Sequence, residues 1–271
     1  MGKKVISFSL WGDNPHYVVG ALVNADIAKE QRKDWVCRFY VAPTVPKIAV
    51  DDLKSRENVE VVEMDEDISW NGMFWRFYPA EDPDVDVMIS RDTDSRLDVR
   101  DAAAVDEWLA SDKDLHIMRD CCQHGWHICG GLWGARNGIL SNIKSMIDDF
   151  HIKDTFNKHG IDQMFLKDIV YQLFWERAFV HDDWFPNGYV NEEKHPFPIP
   201  RLRGEGWWEQ EYPEWHGGIE DNQEKYPWPD GKCFLKCPAC GVWHDNEYIG
   251  KVQVPWGPEK EKYSHIIDSC F

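Results

Sequence analysis

Short apolar runs alternate with amphipathic segments over residues 1–200. Runs of β-branched and aromatic residues predict strands, and apolar residues spaced three or four positions apart predict helices. The predicted strands are 4–10, 36–41, 59–64, 85–89, 115–118 and 179–183, the last running into a polar loop. The predicted helices are 17–32, 48–56, 71–80, 101–111, 139–150 and 162–171. Strands that alternate with helices indicate right-handed βαβ crossovers and a mainly parallel sheet covered on both faces.

A glycine-rich apolar segment at 130–134 follows the fifth predicted strand. Because glycine has no side chain, Gly130 and Gly131 let the backbone approach a ligand closely. A glycine-kinked edge strand fits the same residues equally well. The sequence leaves both interpretations open.

The pattern changes after residue 186. Seven prolines lie between residues 186 and 229 together with four tryptophans, and neither a helical nor a strand period is visible. Such a composition indicates a loop-rich wrap. Its tryptophans either pack as a hydrophobic cover or present stacking faces to sugar rings. We therefore predict an α/β domain at 1–200 and an irregular Trp- and Pro-rich C-terminal extension at 201–271.

Composition excludes several classes of protein. The chain has 271 residues, of which 43% are hydrophobic, enough for one large α/β core with an appendage or for two small domains. A formal net charge of −18 argues against nucleic acid as a partner, because phosphate binding depends on Lys and Arg. The first apolar run is too short for a signal peptide, and no run approaches the length of a membrane span. We expect a cytoplasmic protein without a transmembrane segment.

Two aspartates follow the fourth predicted strand. Residues 85–89 are apolar and β-prone, so the chain leaves the sheet at Ser90 and brings Asp92 and Asp94 to its carboxyl edge. Open α/β sheets bind ligands at that edge. Two carboxylates there suit Mg²⁺ or Mn²⁺ bridging to a diphosphate. Asp-x-Asp also occurs elsewhere in this acidic chain, and the alternative is a solvated surface pair.

The eight cysteines are expected to be reduced, since no secretory signal is visible. Cys37 lies in a predicted strand, where we expect a small core residue. Cys121, Cys122 and Cys129 lie near two histidines but without regular zinc spacing, so ordinary packing is favoured for them.

The Cys237-Pro-Ala-Cys240-Gly segment has the form of a zinc knuckle. Structural zinc would need two further ligands, for which Cys233 and His244 are the nearest candidates. Cys270 and His216 are the alternatives for those two places. The remaining interpretation is a pair of incidental reduced cysteines.

Several motifs together resemble a known enzyme family. They are Phe-Ser-Leu-Trp-Gly at 8–12, Ile-Ser-Arg-Asp-Thr-Asp-Ser-Arg at 89–96, Gly-Gly-Leu-Trp-Gly at 130–134, Ile-Asp-Gln at 161–163 and His-Asp-Asp at 181–183. In this order they resemble GT-A-fold glycosyltransferases bearing a Ser-Arg-Asp-Thr-Asp-Ser-Arg signature. They are more distantly similar to the glycogenin and lipooligosaccharide galactosyltransferase superfamily. The resemblance covers residues 3–200 and implies a GT-A-like (Rossmann-like), mixed but mostly parallel sheet flanked by helices.

The resemblance also implies roles for single residues. Asp92 and Asp94 would hold Mn²⁺ or Mg²⁺ against the donor diphosphate, with His181 as a further metal ligand. Asp162 and Gln163 would lie near the transferred sugar.

The nucleotide-sugar pocket follows from the same resemblance. Gly130 and Gly131 would line the donor-sugar or acceptor pocket. Ser9, Leu10 and the loop after them would face the nucleotide base and ribose.

One departure from the distant relatives concerns the diphosphate. Those relatives continue after the metal histidine with a Gly-Lys segment, whereas this chain continues with Asp-Asp-Trp-Phe at 182–185. Other cations must then reach the diphosphate. Arg91 and Arg96 are the nearby candidates, with a surface ion-pair role as the alternative for each.

The function expected from these residues is transfer of a sugar from a nucleoside-diphosphate sugar to a glycan or other hydroxyl acceptor. A retaining enzyme would need no strong base, whereas an inverting one would use a carboxylate such as Asp162 or Asp183 to deprotonate the acceptor. A nucleotidyltransferase is one alternative, although the glycine-rich, lysine-bearing loop expected of it is absent from the sequence. A non-catalytic carbohydrate- or protein-binding module is another.

Overall fold

The computed structural model describes residues 2–65, 70–120, 124, 126–153, 159–182, 189, 191–199 and 257–270. Within those ranges, no helix combines the length and the apolar character that crossing a membrane requires.

Eight strands form a single sheet in the order β3-β2-β1-β4-β6-β5-β7-β8. The strands are β1 (Lys3–Leu10), β2 (Trp35–Val41), β3 (Val59–Glu63), β4 (Val85–Ser90), β5 (Leu115–Arg119), β6 (Trp133–Arg136), β7 (Ala178–Asp182) and β8 (Lys194–His195). β6 runs antiparallel to both of its neighbours, and all other pairs are parallel. The predicted α/β class with a mostly parallel sheet is confirmed.

Helices connect most of these strands. The α-helices are α1 (Pro15–Gln31), α2 (Lys47–Lys54), α3 (Val99–Ala110), α4 (Ile143–Lys153), α5 (Ile161–Phe165), α6 (Gln172–Phe174), α7 (Gly257–Lys262) and α8 (Ser264–Asp268). The aromatic segment Trp70–Glu81 forms a 3₁₀ helix, and Leu166–Tyr171 forms a π-helical turn between α5 and α6. Each of the six predicted helical segments is helical in part or throughout.

The glycine-rich segment at 130–134 leads into β6, which lies inside the sheet between β4 and β5. The alternative of an edge strand is therefore wrong. Gly134 pairs with Ile89, and a Cβ at Gly134 would lie 2.8 Å from the Met88 carbonyl oxygen. Glycine is required there because β6 packs too closely against β4 for a side chain.

Two hydrophobic clusters cover the sheet. Alternate residues of a strand point to opposite faces, so Ile6 joins one cluster and Val5 the other. The cluster that contains Ile6 also contains Cys37, as predicted for a core cysteine. Tyr263 and Ile266, from the C-terminal helices, belong to the same cluster. The last described segment of the chain therefore packs on the same face of the sheet as α1.

Asp98 begins α3 as its N-cap, and its carboxylate accepts a hydrogen bond from the backbone N–H of Asp101 at 2.7 Å. Its side chain is almost fully buried. Burial raises the pKa of Asp98 to about 7, although the Asp101 N–H opposes this shift. The folded protein therefore holds this carboxyl protonated at a pH where the unfolded chain has lost the proton.

We predict that Asp98 makes the folded state less stable as the pH rises. The unfolded carboxyl ionises near its ordinary pKa of about 4, whereas the folded one keeps its proton up to pH about 7. Its stabilising contribution is therefore complete below pH about 4 and is lost between pH about 4 and 7. Asp98→Asn keeps an N-cap acceptor and removes the titration.

Urea unfolding of both proteins from pH 4 to 8 is the measurement. The free energy of unfolding of the wild type, relative to Asp98→Asn, should fall across this range by on the order of a few kcal/mol. Parallel pH profiles for the two proteins would contradict the assignment.

Candidate functional site

A cavity of about 390 Å³ opens at the carboxyl ends of β1 and β4. Its walls come from the ends of these two strands, the loop into α1, the 3₁₀ helix and His159 before α5. Ser9, Leu10, Asp92 and Asp94 all line it. The structure therefore brings together four residues that the sequence assigned to one nucleotide-sugar site.

The two aspartates occupy different surroundings. The Asp92 side chain is 37% exposed, whereas that of Asp94 is 4% exposed. Asp94 Oδ2 lies 3.7 Å from Nε2 of His16, in the first turn of α1. Asn14 caps this helix by accepting a hydrogen bond from the His16 backbone N–H at 3.0 Å. The start of α1 therefore lies beside the acidic loop, which we define as residues 91–97 between β4 and α3.

Arg76 is the central cation of the site. Its buried guanidinium forms an ion pair with Asp92 through Nη1 and a second with Asp162 through Nη2, where the Nη2–Oδ2 distance is 2.8 Å. Its backbone N–H donates to Ser9 Oγ at 3.1 Å. Through these contacts Arg76 connects the 3₁₀ helix with the end of β1, the acidic loop and α5.

Asp162 is completely buried in the first turn of α5. Burial raises the pKa of its carboxyl, the Arg76 guanidinium opposes that shift, and the Asp92 carboxylate adds to it. Asp162 does not line the cavity wall, and it reaches the site through Arg76. Gln163 follows it on α5 and is half-buried.

Gly130 and Gly131 lie directly against these charged groups. A Cβ at Gly130 would lie 2.3 Å from Asp162 Oδ2 and 2.4 Å from Arg76 Nη2. A Cβ at Gly131 would lie 2.1 Å from Asp92 Oδ2. In this structure the backbone at these glycines approaches the site's own side chains. Their predicted approach to a ligand stays a prediction.

The structure assigns Arg91 an internal role. Its guanidinium is 2% exposed and pairs with Asp101 at 2.6 Å, and it also donates to the carbonyl oxygens of Ser90 and Trp133. These partners occupy the guanidinium in this structure, so Arg91 forms a buried ion pair and not a surface one, and its assignment to the donor diphosphate stays a prediction. Arg96 is likewise buried and paired, with Glu259.

His181 lies in β7, where it is fully buried. Its Nδ1 is 2.8 Å from His116 Nε2, and its Nε2 is 3.2 Å from Glu107 Oε2. Among the described residues no three His, Cys, Asp or Glu side chains form a group that could hold a metal ion, so the structure does not assemble Asp92, Asp94 and His181. A metal role for His181 stays a prediction.

The remaining assigned residues fall outside the described ranges. They are Asp183 and the zinc candidates Cys233, Cys237, Cys240 and His244. Their roles stay predictions.

Sequence reasoning missed Arg76 and His16. Arg76 is the one charged residue between Trp70 and Ala80, in an otherwise aromatic and apolar helix. A charge in such a segment is expected to be buried with partners, and this was the available signal. His16 carries no comparable signal, because its relation to Asp94 arises only when α1 packs beside the acidic loop.

Comparison with known proteins gave matches at the level of structure only. No protein-family profile matches the chain. No curated protein sequence matches it either.

Three solved structures illustrate the structural likeness. A glycosyltransferase involved in glycosylation of the major capsid of PBCV-1 is 12% identical, with a TM-score of 0.44, over 68% of this chain and 83% of that one. The galactosyltransferase LgtC, in complex with donor and acceptor sugar analogs, is 14% identical, with a TM-score of 0.44, over 69% and 77%. The 4-diphosphocytidyl-2C-methyl-D-erythritol synthase of Anaerococcus prevotii is 11% identical, with a TM-score of 0.43, over 66% and 88%. At such low scores the likeness carries no functional argument, and the site must be interpreted from its own residues.

We predict that Gly130→Ala disrupts the pair between Arg76 and Asp162. The new methyl group would overlap both charged side chains, and breaking a buried ion pair costs about 3–5 kcal/mol. Gly72→Ala is the matched control, because its Cβ would meet nothing closer than 3.4 Å. Chemical denaturation of both variants is the measurement.

The free energy of unfolding of Gly130→Ala should be lower than that of the wild type by most of the cost of breaking the ion pair. That of Gly72→Ala should stay within about 1 kcal/mol of the wild type. Equal stability of the two variants would show that the site accepts a side chain at position 130.

Proposed function

We propose that the protein is a metal-dependent glycosyltransferase of the GT-A type that uses a nucleoside-diphosphate sugar. The observation that carries this proposal is the position of Asp92 and Asp94. They follow β4 at the carboxyl edge of the sheet and line a cavity large enough for a ligand.

Charge balance in the cavity indicates the need for a metal ion. Three aspartates line it, at positions 13, 92 and 94, against a single guanidinium, that of Arg76, among the described residues. Arg76 already pairs with two carboxylates. A diphosphate entering this negative cavity therefore requires positive charge that these side chains do not supply.

The donor set fits Mn²⁺ or Mg²⁺. Such ions take oxygen ligands, and Mg²⁺ sites commonly use one or two carboxylates, waters and substrate phosphates. Asp92 and Asp94 would supply the protein ligands. When bound, the ion stabilises the negative charge that develops on the leaving diphosphate.

Arg76 and Asp162 position the polar groups of the site. Asp162 neutralises Arg76 from the buried side, and Arg76 fixes the Asp92 carboxylate at the cavity wall. While Asp162 is buried and paired with Arg76, it is poorly placed to deprotonate an acceptor hydroxyl. This arrangement argues against Asp162 as the base of an inverting reaction, and the other candidate base, Asp183, lies outside the described residues.

Aromatic side chains form part of the cavity wall. Tyr17 is 37% exposed and Trp70 is 40% exposed, and both line the cavity. The Trp70 ring meets His159 edge-on at 5.2 Å. Exposed rings beside the acidic residues of the cavity suit stacking against a nucleotide base or a sugar face.

We predict that Asp92→Asn and Asp94→Asn each reduce metal-dependent transfer or donor hydrolysis by on the order of 10²-fold, the scale of losing a preorganised electrostatic group. Asp112→Asn is the matched control. Asp112 belongs to another Asp-x-Asp pair, which lies before β5 at the opposite edge of the sheet. Asp112 itself is exposed.

Release of nucleoside diphosphate from a panel of sugar nucleotides with Mn²⁺ is the measurement. Full activity of Asp94→Asn, or of the wild type in excess EDTA, would refute the proposal. Pyrophosphate release from a nucleoside triphosphate and a sugar phosphate would favour a nucleotidyltransferase. Absence of any Mn²⁺-dependent stabilisation by nucleotides would favour a binding module.

A further inference from the structure

The C-terminal helices are attached to α1 by a polar contact as well as by their apolar residues. Tyr263 Oη donates to Asp26 of α1 and accepts a bond of 3.2 Å from Arg56 Nη2. Lys262 Nζ lies 2.6 Å from Asp26 Oδ2. These contacts attach the C-terminal helices to Asp26 of α1 and to Arg56, and they do not involve the acidic loop.

A second contact connects α7 with the acidic loop itself. Arg96 donates from Nε to Glu259 Oε1 at 2.7 Å and from Nη2 to Glu259 Oε2 at 2.8 Å. Arg96 is 3% exposed and Glu259 is 7% exposed. Two parallel bonds between a guanidinium and a carboxylate fix both position and orientation. This pair is therefore a specific contact shielded from solvent.

Arg96 also supports the loop backbone. Its Nη1 donates to the carbonyl oxygens of Thr93 at 3.1 Å and Ser95 at 3.3 Å. These two residues flank Asp94. The guanidinium thus connects Glu259 on one side with the peptide units around Asp94 on the other.

Helix α1 supports the same loop from another direction. Asn24 donates to the Ser95 carbonyl at 2.8 Å and accepts from the Leu97 N–H at 3.0 Å. A Cβ at Gly20 would lie 1.9 Å from the Thr93 carbonyl oxygen, so the loop packs directly on the α1 backbone. The acidic loop is therefore held by α1 and by the pair of Arg96 with Glu259.

We propose that Glu259 is a positioning residue for the candidate metal site, which the C-terminal segment thereby completes. Without the Glu259 charge, Arg96 becomes a buried cation with no carboxylate partner, an arrangement that is strongly unfavourable. Arg96 then leaves its place, and the carbonyls beside Asp94 lose their donor. The effect on ligand binding rests on the proposed function, whereas the effect on the loop does not.

Three variants separate loop positioning from simple attachment of the helices. Glu259→Gln removes the charge, and Glu259→Asp keeps the charge and should retain part of the support of the loop. Tyr263→Phe removes the hydroxyl that bonds Asp26 and Arg56 and leaves the pair of Arg96 with Glu259 in place. Arg96→Lys is a further variant, because an ammonium can reach Glu259 without also bonding both carbonyls. Arg96→Lys takes the place of Glu259→Gln in the measurements if Glu259→Gln fails to fold.

Hydrogen–deuterium exchange of the full chain is the first measurement. The Leu97 N–H is hydrogen bonded to Asn24, and the Ser95 N–H to the Asp92 carbonyl at 3.4 Å. Glu259→Gln and Arg96→Lys should exchange at least about tenfold faster over residues 91–97, with α1 unchanged. Tyr263→Phe should leave residues 91–97 at the wild-type rate.

The second measurement is calorimetric binding of UDP and GDP in the presence of Mn²⁺. Glu259→Gln should weaken binding about 10- to 100-fold, the range seen when partners of metal ligands are lost, and Glu259→Asp should weaken it less. Tyr263→Phe should bind as the wild type does.

Wild-type exchange at residues 91–97 in Glu259→Gln would overturn the inference. So would faster exchange spread evenly over α1 and the loop, which would reduce Glu259 to a structural anchor. If the wild type binds neither nucleotide with Mn²⁺, the proposed function fails for these nucleotides, and the exchange data still decide whether Glu259 holds the loop.

Discussion

The buried guanidinium of Arg76 is the interaction on which the candidate site depends. It pairs with Asp92 after β4 and with Asp162 in α5, and it lies in the 3₁₀ helix between them. A carboxylate as deeply buried as Asp162 persists only with a charged or hydrogen-bonded partner. Removing Arg76 would leave the buried Asp162 carboxylate without its charged partner, so the position of the three segments depends on this one guanidinium.

Four other arginines are buried in internal ion pairs and contribute no positive charge to the cavity. Arg91, Arg96, Arg100 and Arg119 are each at most 3% exposed, and each pairs with a carboxylate. Bidentate geometry and weak hydration make Arg suited to such internal pairs. These four guanidinium groups neutralise other carboxylates and do not line the cavity, so the cavity near Asp92 stays negative. The proposed function therefore requires an external cation.

Packing of the sheet explains several glycines that the sequence marked as unusual. β6 enters between β4 and β5, which requires Gly134 at the contact with Met88. Just before β6, the backbone at Gly130 and Gly131 fills the space beside Asp162 and Asp92. The short antiparallel strand β6 therefore lies between β4 and β5, and the two glycines before it pack beside the carboxylates of Asp162 and Asp92.

The sequence by itself determined the elements and the strand-end acids, because both follow from local patterns. Apolar periodicity predicted the main strands and helices, and the position of Asp92 and Asp94 after a β-prone run indicated the carboxyl edge of a sheet. Only the tertiary structure decided which charges meet. Arg76 is separated from Asp162 by 86 positions, and Arg96 from Glu259 by 163. It also decided that Arg91 is internal, since an arginine beside a motif has the same local pattern whether it faces a ligand or the core. Pairing between charges that are distant in the sequence depends on how the chain packs, and the local periodicity of the sequence does not predict it.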